Sequence, residues 1–194
     1  MNKYVEKVEE YYSKDIKQYH TIYHILELFE IYNKYKDSIL NEFPNLNEEA
    51  LFNAIAYHDS IYIIGCKMNE VYSAEVFVQK NRDINEDILR LTYDAILSTR
   101  IDNIHYDTDV ERVLHDLDWN SFSKDYSDFK RDTDKIMYEA TCRHLYTEKE
   151  VRKNQLDFYK SIVNKKIYIT NTFSKFNDIA KHNLECRIKE IENE

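Results

Sequence analysis

The sequence predicts an all-α protein, a compact bundle of about eight to nine helices, and three observations carry that prediction. The first is that 194 residues contain one glycine and one proline, which leaves little chemistry for the tight turns a sheet demands, whereas helices joined by short polar loops manage without them. The second is apolar residues recurring at helical spacing along most of the chain. The third is a composition of 43% hydrophobic and 32% charged residues, which belongs to a soluble globular chain with a real core. The length suits one domain, residues 1–194.

In chain order, Tyr4, Val5, Val8, Tyr11 and Tyr12 predict an opening helix, with a polar break from Ser13 to Lys17. A long amphipathic pattern runs from Gln18 to about Leu40, with His24, Leu28, Ile31 and Tyr35 on one stripe and Glu27, Glu30 and Lys34 off it. Asn47 followed by Glu48 and Glu49 marks a helix start, with acidic residues at the positive end of the dipole. Leu51 to Tyr57 is apolar almost all round, so this helix is expected to be deeply buried. Gly65 falls in a turn over Ile64–Lys67, and further helices are expected from Asn69 to about Lys80 and from Ile84 to Thr99. After a polar loop from Arg100 to Thr108, a short helix carries Val110, Val113, Leu114 and Leu117 and ends in Asp116-Leu117-Asp118-Trp119. Three long helices, Phe122 to His144, Glu148 to Asn164 and Thr172 to Ile191, complete the chain.

A net charge of −9 argues against general nucleic-acid binding, because phosphate backbones select basic surfaces. A small phosphorylated substrate stays compatible with it, since a bound divalent cation reverses the local sign. Cys66, Cys142 and Cys186 are odd in number, have no C-x-x-C spacing and read as free thiols. No apolar run reaches the roughly 18 residues of a membrane span, and Met1-Asn2-Lys3-Tyr4 opens no signal-peptide core. A cytoplasmic protein is expected, with no membrane partner and an open oligomeric state.

The chemistry concentrates in Tyr19-His20-Thr21-Ile22-Tyr23-His24-Ile25 and Ala56-Tyr57-His58-Asp59. On one helix, His20 and His24 would stand one turn apart on the same face. An H-x-x-x-H spacing also occurs in zinc peptidases, but these need Glu after the first His, where Thr21 stands. His58 and Asp59 end a buried run, where an unpartnered imidazole and carboxylate would cost several kcal/mol. Together the two stretches supply nitrogen and oxygen ligands that suit Mn, Fe, Co, Ni or Zn, with Mg less readily accommodated. A further ligand from a later helix would close the site.

With these residues in view, the sequence resembles the HD superfamily of metal-dependent phosphohydrolases, and more closely a small branch of it of about this length. That branch shows Tyr-His-Asn-x-x-His-Ile, then Phe-His-Asp-x-x-Tyr, Asn-Glu-x-x-Ser-Ala, Asp-Ala-Asp-Leu, Ile-Tyr-x-Thr-x-x-Phe and Ala-Arg-x-Asn-Leu. This chain has, in the same order, the Tyr19 to Ile25 stretch, Tyr57-His58-Asp59-Ser60-Ile61-Tyr62 and Asn69-Glu70-Val71-Tyr72-Ser73-Ala74. Asp116-Leu117-Asp118-Trp119, Ile167-Tyr168-Ile169-Thr170-Asn171-Thr172-Phe173 and Ala180-Lys181-His182-Asn183-Leu184 follow. The likeness spans about residues 11 to 186. It implies His24, His58, Asp59 and Asp118 as metal ligands, with Asp118 preferred over Asp116 because it matches the later Asp of the segment. In the distantly similar cyclic-nucleotide phosphodiesterases the first His of such a stretch is a proton donor, which by that likeness makes His20 a general acid.

The departures are specific. Where the family tends to have a His shortly after a Thr, this chain has Ser98-Thr99-Arg100, with Asp102 and then His105 nearest. One divalent ion is therefore expected and a second is left open. Some HD nucleotidases place a Glu three residues after the His-Asp pair, where Tyr62 stands here; Glu70 is the substitute base, and Asp59 both binds metal and orients water. Lys17 and Arg100, with Arg131 and Lys166, are available to hold phosphate oxygens, although on composition alone each reads first as solvated surface. Tyr23, Tyr57 and Tyr62 are candidates to line a pocket and stack a base, or equally to pack the core.

Two functions follow as expectations. One is a phosphohydrolase acting on a small phosphorylated compound, foremost a nucleotide. The other is a non-catalytic module that binds a nucleotide or a partner protein and keeps the metal as a structural clamp.

Overall fold

Asn47 starts the helix on which the first half of the molecule is assembled. Its side-chain oxygen accepts the backbone N–H of Ala50 at 3.0 Å, satisfying one of the donors a helix start leaves open. The helix that follows, Glu48–Tyr57, buries Ala50, Leu51 and every residue from Asn53 to Tyr57. A computed structural model describes residues 3–13, 17–103, 105–142 and 146–193. They are all-helical, with no strand among the described residues. No helix is long and apolar enough to cross a membrane.

The helices are α1 (Lys3–Glu6), α2 (Glu9–Tyr12), α3 (Ile22–Glu42), α4 (Glu48–Tyr57), α5 (Asn69–Lys80), α6 (Glu86–Ser98) and α7 (Asp109–Asp118). After a 3-10 turn, Trp119–Ser123, come α8 (Tyr126–Cys142), α9 (Glu148–Ile162), α10 (Asn171–Ser174) and α11 (Asn177–Asn193). Contacts group the chain into two compact units, Met1–Asp15 with His20–Asp118, and Ile16–Tyr19 with Trp119–Glu194.

In the first unit α4 is the hub. It packs on α3, α5, α6 and α7, and α3 and α7 also pack on each other. Ile25, Leu28, Tyr32, Leu51, Ile55, Ile96, Leu114 and Leu117 are buried completely, and each such aliphatic side chain contributes about 1.5–3 kcal/mol. Polar ties set the register. Glu48 accepts Tyr32 Oη and Lys36 Nζ, each at 2.6 Å, holding α3 along the start of α4.

The second unit closes around Phe122, Phe129, Phe158 and Tyr159. Two stretches that carry the family resemblance build its turns. Tyr168 donates to the Trp119 carbonyl at 2.8 Å. The Asn183 side chain donates to the carbonyls of Phe122 and Lys124 at 2.9 and 2.8 Å.

Several boundaries differ from the sequence expectation, each for a local reason. The opening helix is two single turns, α1 and α2, because the chain breaks at Lys7 and Val8 to seat Val5, Val8 and Tyr12 in the core. The next helix begins at Ile22, not Gln18: Thr21 is extended (φ −114°, ψ 171°). The amides of Gln18 and Tyr19 go to the Glu139 carboxylate at 2.5 and 2.7 Å instead of into a helix. The buried stripe of α3 is His24, Ile25, Leu28, Phe29, Tyr32 and Ile39, so Ile31 and Tyr35 sit at its margin. The last expected helix is split into α10 and α11, because the Asn177 side chain accepts the amides of Ile167 and Tyr168 at 2.8 and 2.9 Å and folds the chain back. The helix expected to reach His144 is followed to Cys142, and His144 lies outside the described residues.

Replacing the cap, Asn47→Ala, is expected to lower unfolding free energy by about 1 kcal/mol. A urea titration followed by circular dichroism measures this, and an unchanged midpoint would show that the cap contributes nothing.

Candidate metal centre

Three mutually packed helices bring four side chains to one point. His24 lies in the first turn of α3, His58 and Asp59 at the end of α4, and Asp118 at the end of α7. Nitrogen and oxygen atoms from all four lie within 4.8 Å of one another, the one such group among the described residues. His24 Nε2 is 3.1 Å from Asp118 Oδ1 and 4.0 Å from Asp59 Oδ2. His58 Nε2 is 3.1 Å from Asp59 Oδ2 and 3.3 Å from Asp118 Oδ1.

The local fold explains why His58 and Asp59 can sit there. A helix leaves its last four carbonyls without helical partners, and in α4 all four are met. Ala54 O accepts His58 N at 2.9 Å and Tyr57 O accepts Ser60 N at 3.0 Å. Ile55 O lies 3.0 Å from the His58 ring, at Nδ1, and Ala56 O accepts the Tyr12 hydroxyl at 2.9 Å. The bond to Ile55 uses Nδ1 as the donor, so once the ring is neutral it is Nε2, facing the cluster, that carries the lone pair. That Nε2 is buried and makes no aligned hydrogen bond.

These observations fit a cation. Ligand atoms about 2.1 Å from one ion stand roughly 3 to 4 Å apart, and the four nitrogen-to-oxygen separations, 3.1 to 4.0 Å, fall in that range. The set is two imidazole nitrogens and two carboxylates, and a buried imidazole nitrogen without an aligned hydrogen bond is directed into it. The group can hold a metal ion. Asp116, two residues before Asp118, is fully buried and about 200° away around the helix, so the two cannot face the same point.

Electrostatics bind the cluster together. Burial opposes charge on His58, but the Asp59 and Asp118 carboxylates outweigh it and hold its pKa well above the ordinary 6.5. Burial also pushes Asp59 upward, and the facing charges of His58 and His20 more than reverse it, leaving Asp59 well below the ordinary carboxylate range. Asp118 is depressed in the same way, by His58 and His24 against burial.

The remaining candidates are distributed around this centre or away from it. His20 precedes α3, so it does not share a helical face with His24, contrary to the expectation from their spacing. Its ring stacks on Tyr62 at 3.7 Å and 19°, and its charge is felt at Asp59. Glu70 opens α5; burial and then the Asp59 charge raise its pKa, against the pull of Arg100. Arg100 reaches Asp102 through two nitrogens, at 3.1 and 3.3 Å. The turn between α4 and α5 that carries Tyr62 is held by Asn69, which bonds Ile63 N and O at 2.8 and 3.0 Å, and by Ser73, which accepts Ile61 N at 3.0 Å. Gly65 takes φ 78° in it, a conformation that favours glycine.

Tyr23 stands in solvent, 78% exposed. Tyr57 is a core residue packed against Phe77 at 5.3 Å. His105 is exposed. Lys17, Arg131 and Lys166 belong to the second unit; Arg131 pairs with Asp128 at 2.7 Å and Lys166 donates to the Ile169 carbonyl at 3.0 Å.

Two further tyrosines near the centre carry no signal in the sequence that sets them apart as site residues. Tyr12 is buried and feels Asp59 and Asp118, which together with burial raise its pKa far above 10.0, so it stays a neutral donor. Tyr106 lies 2.7 Å from His115 Nδ1, and its pKa is pushed up to about 12 by burial and then by Asp116 and Asp118. No family model matches the chain, and no curated protein or solved structure matches it either.

The pKa directions set an expectation. In the metal-free protein the stability from His58 is complete below its ordinary 6.5 and is lost as pH rises through the higher folded value. Asp59 and Asp118 contribute above their ordinary 3.8 and lose that only as pH falls through still lower folded values. Metal-free protein is therefore expected to lose thermal stability from about pH 6.5 into the alkaline range, while added Mn stabilises it more as pH rises, because the cation replaces the proton on His58. Melting curves with and without Mn across that range are the check, and a stabilisation that is flat or falls with pH would contradict it.

Proposed function

We propose that the protein is a divalent-metal-dependent phosphohydrolase acting on a small phosphorylated compound, foremost a nucleotide, in the cytoplasm. The observation that carries this reading is the convergence of His24, His58, Asp59 and Asp118 with a separate imidazole, His20, close enough for its charge to act on Asp59. The order of motifs along the sequence, which resembles that of HD phosphohydrolases, supports it. The three described cysteines are free thiols, which is compatible with a reducing compartment.

His24, His58, Asp59 and Asp118 would hold one Mn, Fe, Co, Ni, Zn or Mg ion, with a second ion open. An ion bound there supplies Lewis acidity toward a phosphoryl oxygen and a nucleophilic water at neutral pH. The chain's own groups divide the remaining work. Asp59 orients the attacking water. His20 delivers its proton to the leaving alkoxide, and the Tyr62 face against it holds the ring in place. Glu70, a half-buried carboxylate with a raised pKa, takes up the proton the water loses. Arg100 takes a phosphate oxygen by exchanging its Asp102 partner, since a bidentate guanidinium suits both anions.

A nucleotide is favoured over a small polar ester by the character of the neighbouring segments. Tyr62 presents an aromatic face, and Ile63, Met68, Tyr72 and Ile101, which flank Tyr62, Glu70 and Arg100 in the sequence, are all exposed. An apolar, planar leaving group would cover such surface.

The test separates metal binding from chemistry. The purified protein, loaded in turn with each candidate metal, is screened against nucleoside mono- and triphosphates, cyclic nucleotides and a chromogenic phosphodiester. His20→Ala is expected to keep its metal and fold and to lose at least about 100-fold in rate; His58→Ala is expected to lose the metal. No turnover with any metal, together with an unaltered His20→Ala protein and an unfolded His58→Ala protein, would favour the non-catalytic module instead.

A further inference from the structure

The carbonyl of Ala56, two residues before His58 and three before Asp59, takes its partner from 44 residues away. Tyr12 is 5% exposed and its hydroxyl donates to Ala56 O at 2.9 Å. One phenol therefore supplies the donor that a terminal carbonyl of α4 lacks within its own helix, and phenylalanine has no such group.

The consequence is positional. Asp59 lies beyond the last residue of α4, Tyr57, so helical bonding does not hold its backbone. The Tyr12 bond goes to the Ala56 carbonyl and not to the Asp59 carboxylate, which is left to face His58 and Asp118. We infer that Tyr12 is a positioning residue for the metal centre, anchoring the end of α4 at Ala56 so that His58 and the Asp59 carboxylate, which follow directly, are presented at the distance the ion requires. This rests on the reading that the four-residue group binds a divalent ion.

Tyr12→Phe removes the oxygen and little else. Co(II) titration of the metal-free protein, followed by visible absorption, is the test, because the d–d bands report ligand geometry without any need for activity. The variant is expected to bind Co(II) about 10-fold more weakly, the scale of outer contacts to metal ligands, with an altered band shape. Tyr32→Phe is the control: it also deletes a buried tyrosyl hydroxyl, one bonded to Glu48, and is expected to lower stability while leaving Co(II) affinity and spectrum as in the unaltered protein. Equal affinity and an identical spectrum for Tyr12→Phe would overturn the inference, as would the same loss in Tyr32→Phe. Absence of Co(II) binding by the unaltered protein would instead overturn the metal reading on which it rests. Should Tyr12→Phe fail to fold, the Tyr12 hydroxyl proton in the unaltered protein decides: slow exchange with solvent is expected of a buried, bonded phenol, and exchange at the rate of an exposed tyrosine would refute the arrangement.

Discussion

The end of α4 is the constraint on which the rest of this structure depends. A buried helix terminus exposes carbonyls to a medium that cannot hydrate them, and each one left unmet costs about as much as a lost hydrogen bond. Here the solution and the site are the same atoms. The His58 backbone caps Ala54, its ring caps Ile55, and Tyr12 caps Ala56. The imidazole that satisfies the helix is thereby turned with its other nitrogen toward Asp59 and Asp118. Satisfying the backbone and orienting a candidate ligand are one event.

The remaining helices serve to bring charge to that terminus. α3 delivers His24 and α7 delivers Asp118, and both helices pack on α4 as well as on each other. Two carboxylates held against burial are stabilised by the imidazoles facing them, and a buried imidazole is kept protonated by the carboxylates in turn. Such a group is self-consistent without an ion and can serve as a ligand set for a cation that displaces the proton. His20 stands outside this exchange, on the segment before α3 and against Tyr62. The proposed role of proton donor asks for a group near the cluster and not part of it, and a break in the helix provides that separation where continuous helical register would have stacked it over His24.

Much of this was legible in the residues. The scarcity of glycine and proline, the Asn47 cap, the almost wholly apolar run of Leu51 to Tyr57, and the polar pair at its end are local features, and each acts through neighbours within one or two turns. Asn69 and Ser73 were visible only as parts of a motif; the structure gives them the turn that carries Tyr62. The opening stretch was misread for a physical reason. Its amphipathic pattern is real, but the amides of Gln18 and Tyr19 are taken by Glu139, about 120 residues on, and a side chain so distant leaves no trace in local periodicity.

By itself the sequence determined the helical class, the buried character of α4, and which side chains have the chemistry to bind a cation. Those properties follow from residue type and short-range spacing. Tertiary structure decided which of them meet: Asp118 and not Asp116 at the cluster, His20 off the helix, Arg100 engaged with Asp102, and Tyr12, one tyrosine among 17, at the point where α4 ends. Convergence in space depends on how helices cross, and helix crossing is set by the summed packing of residues far apart in the chain, which no single stretch records.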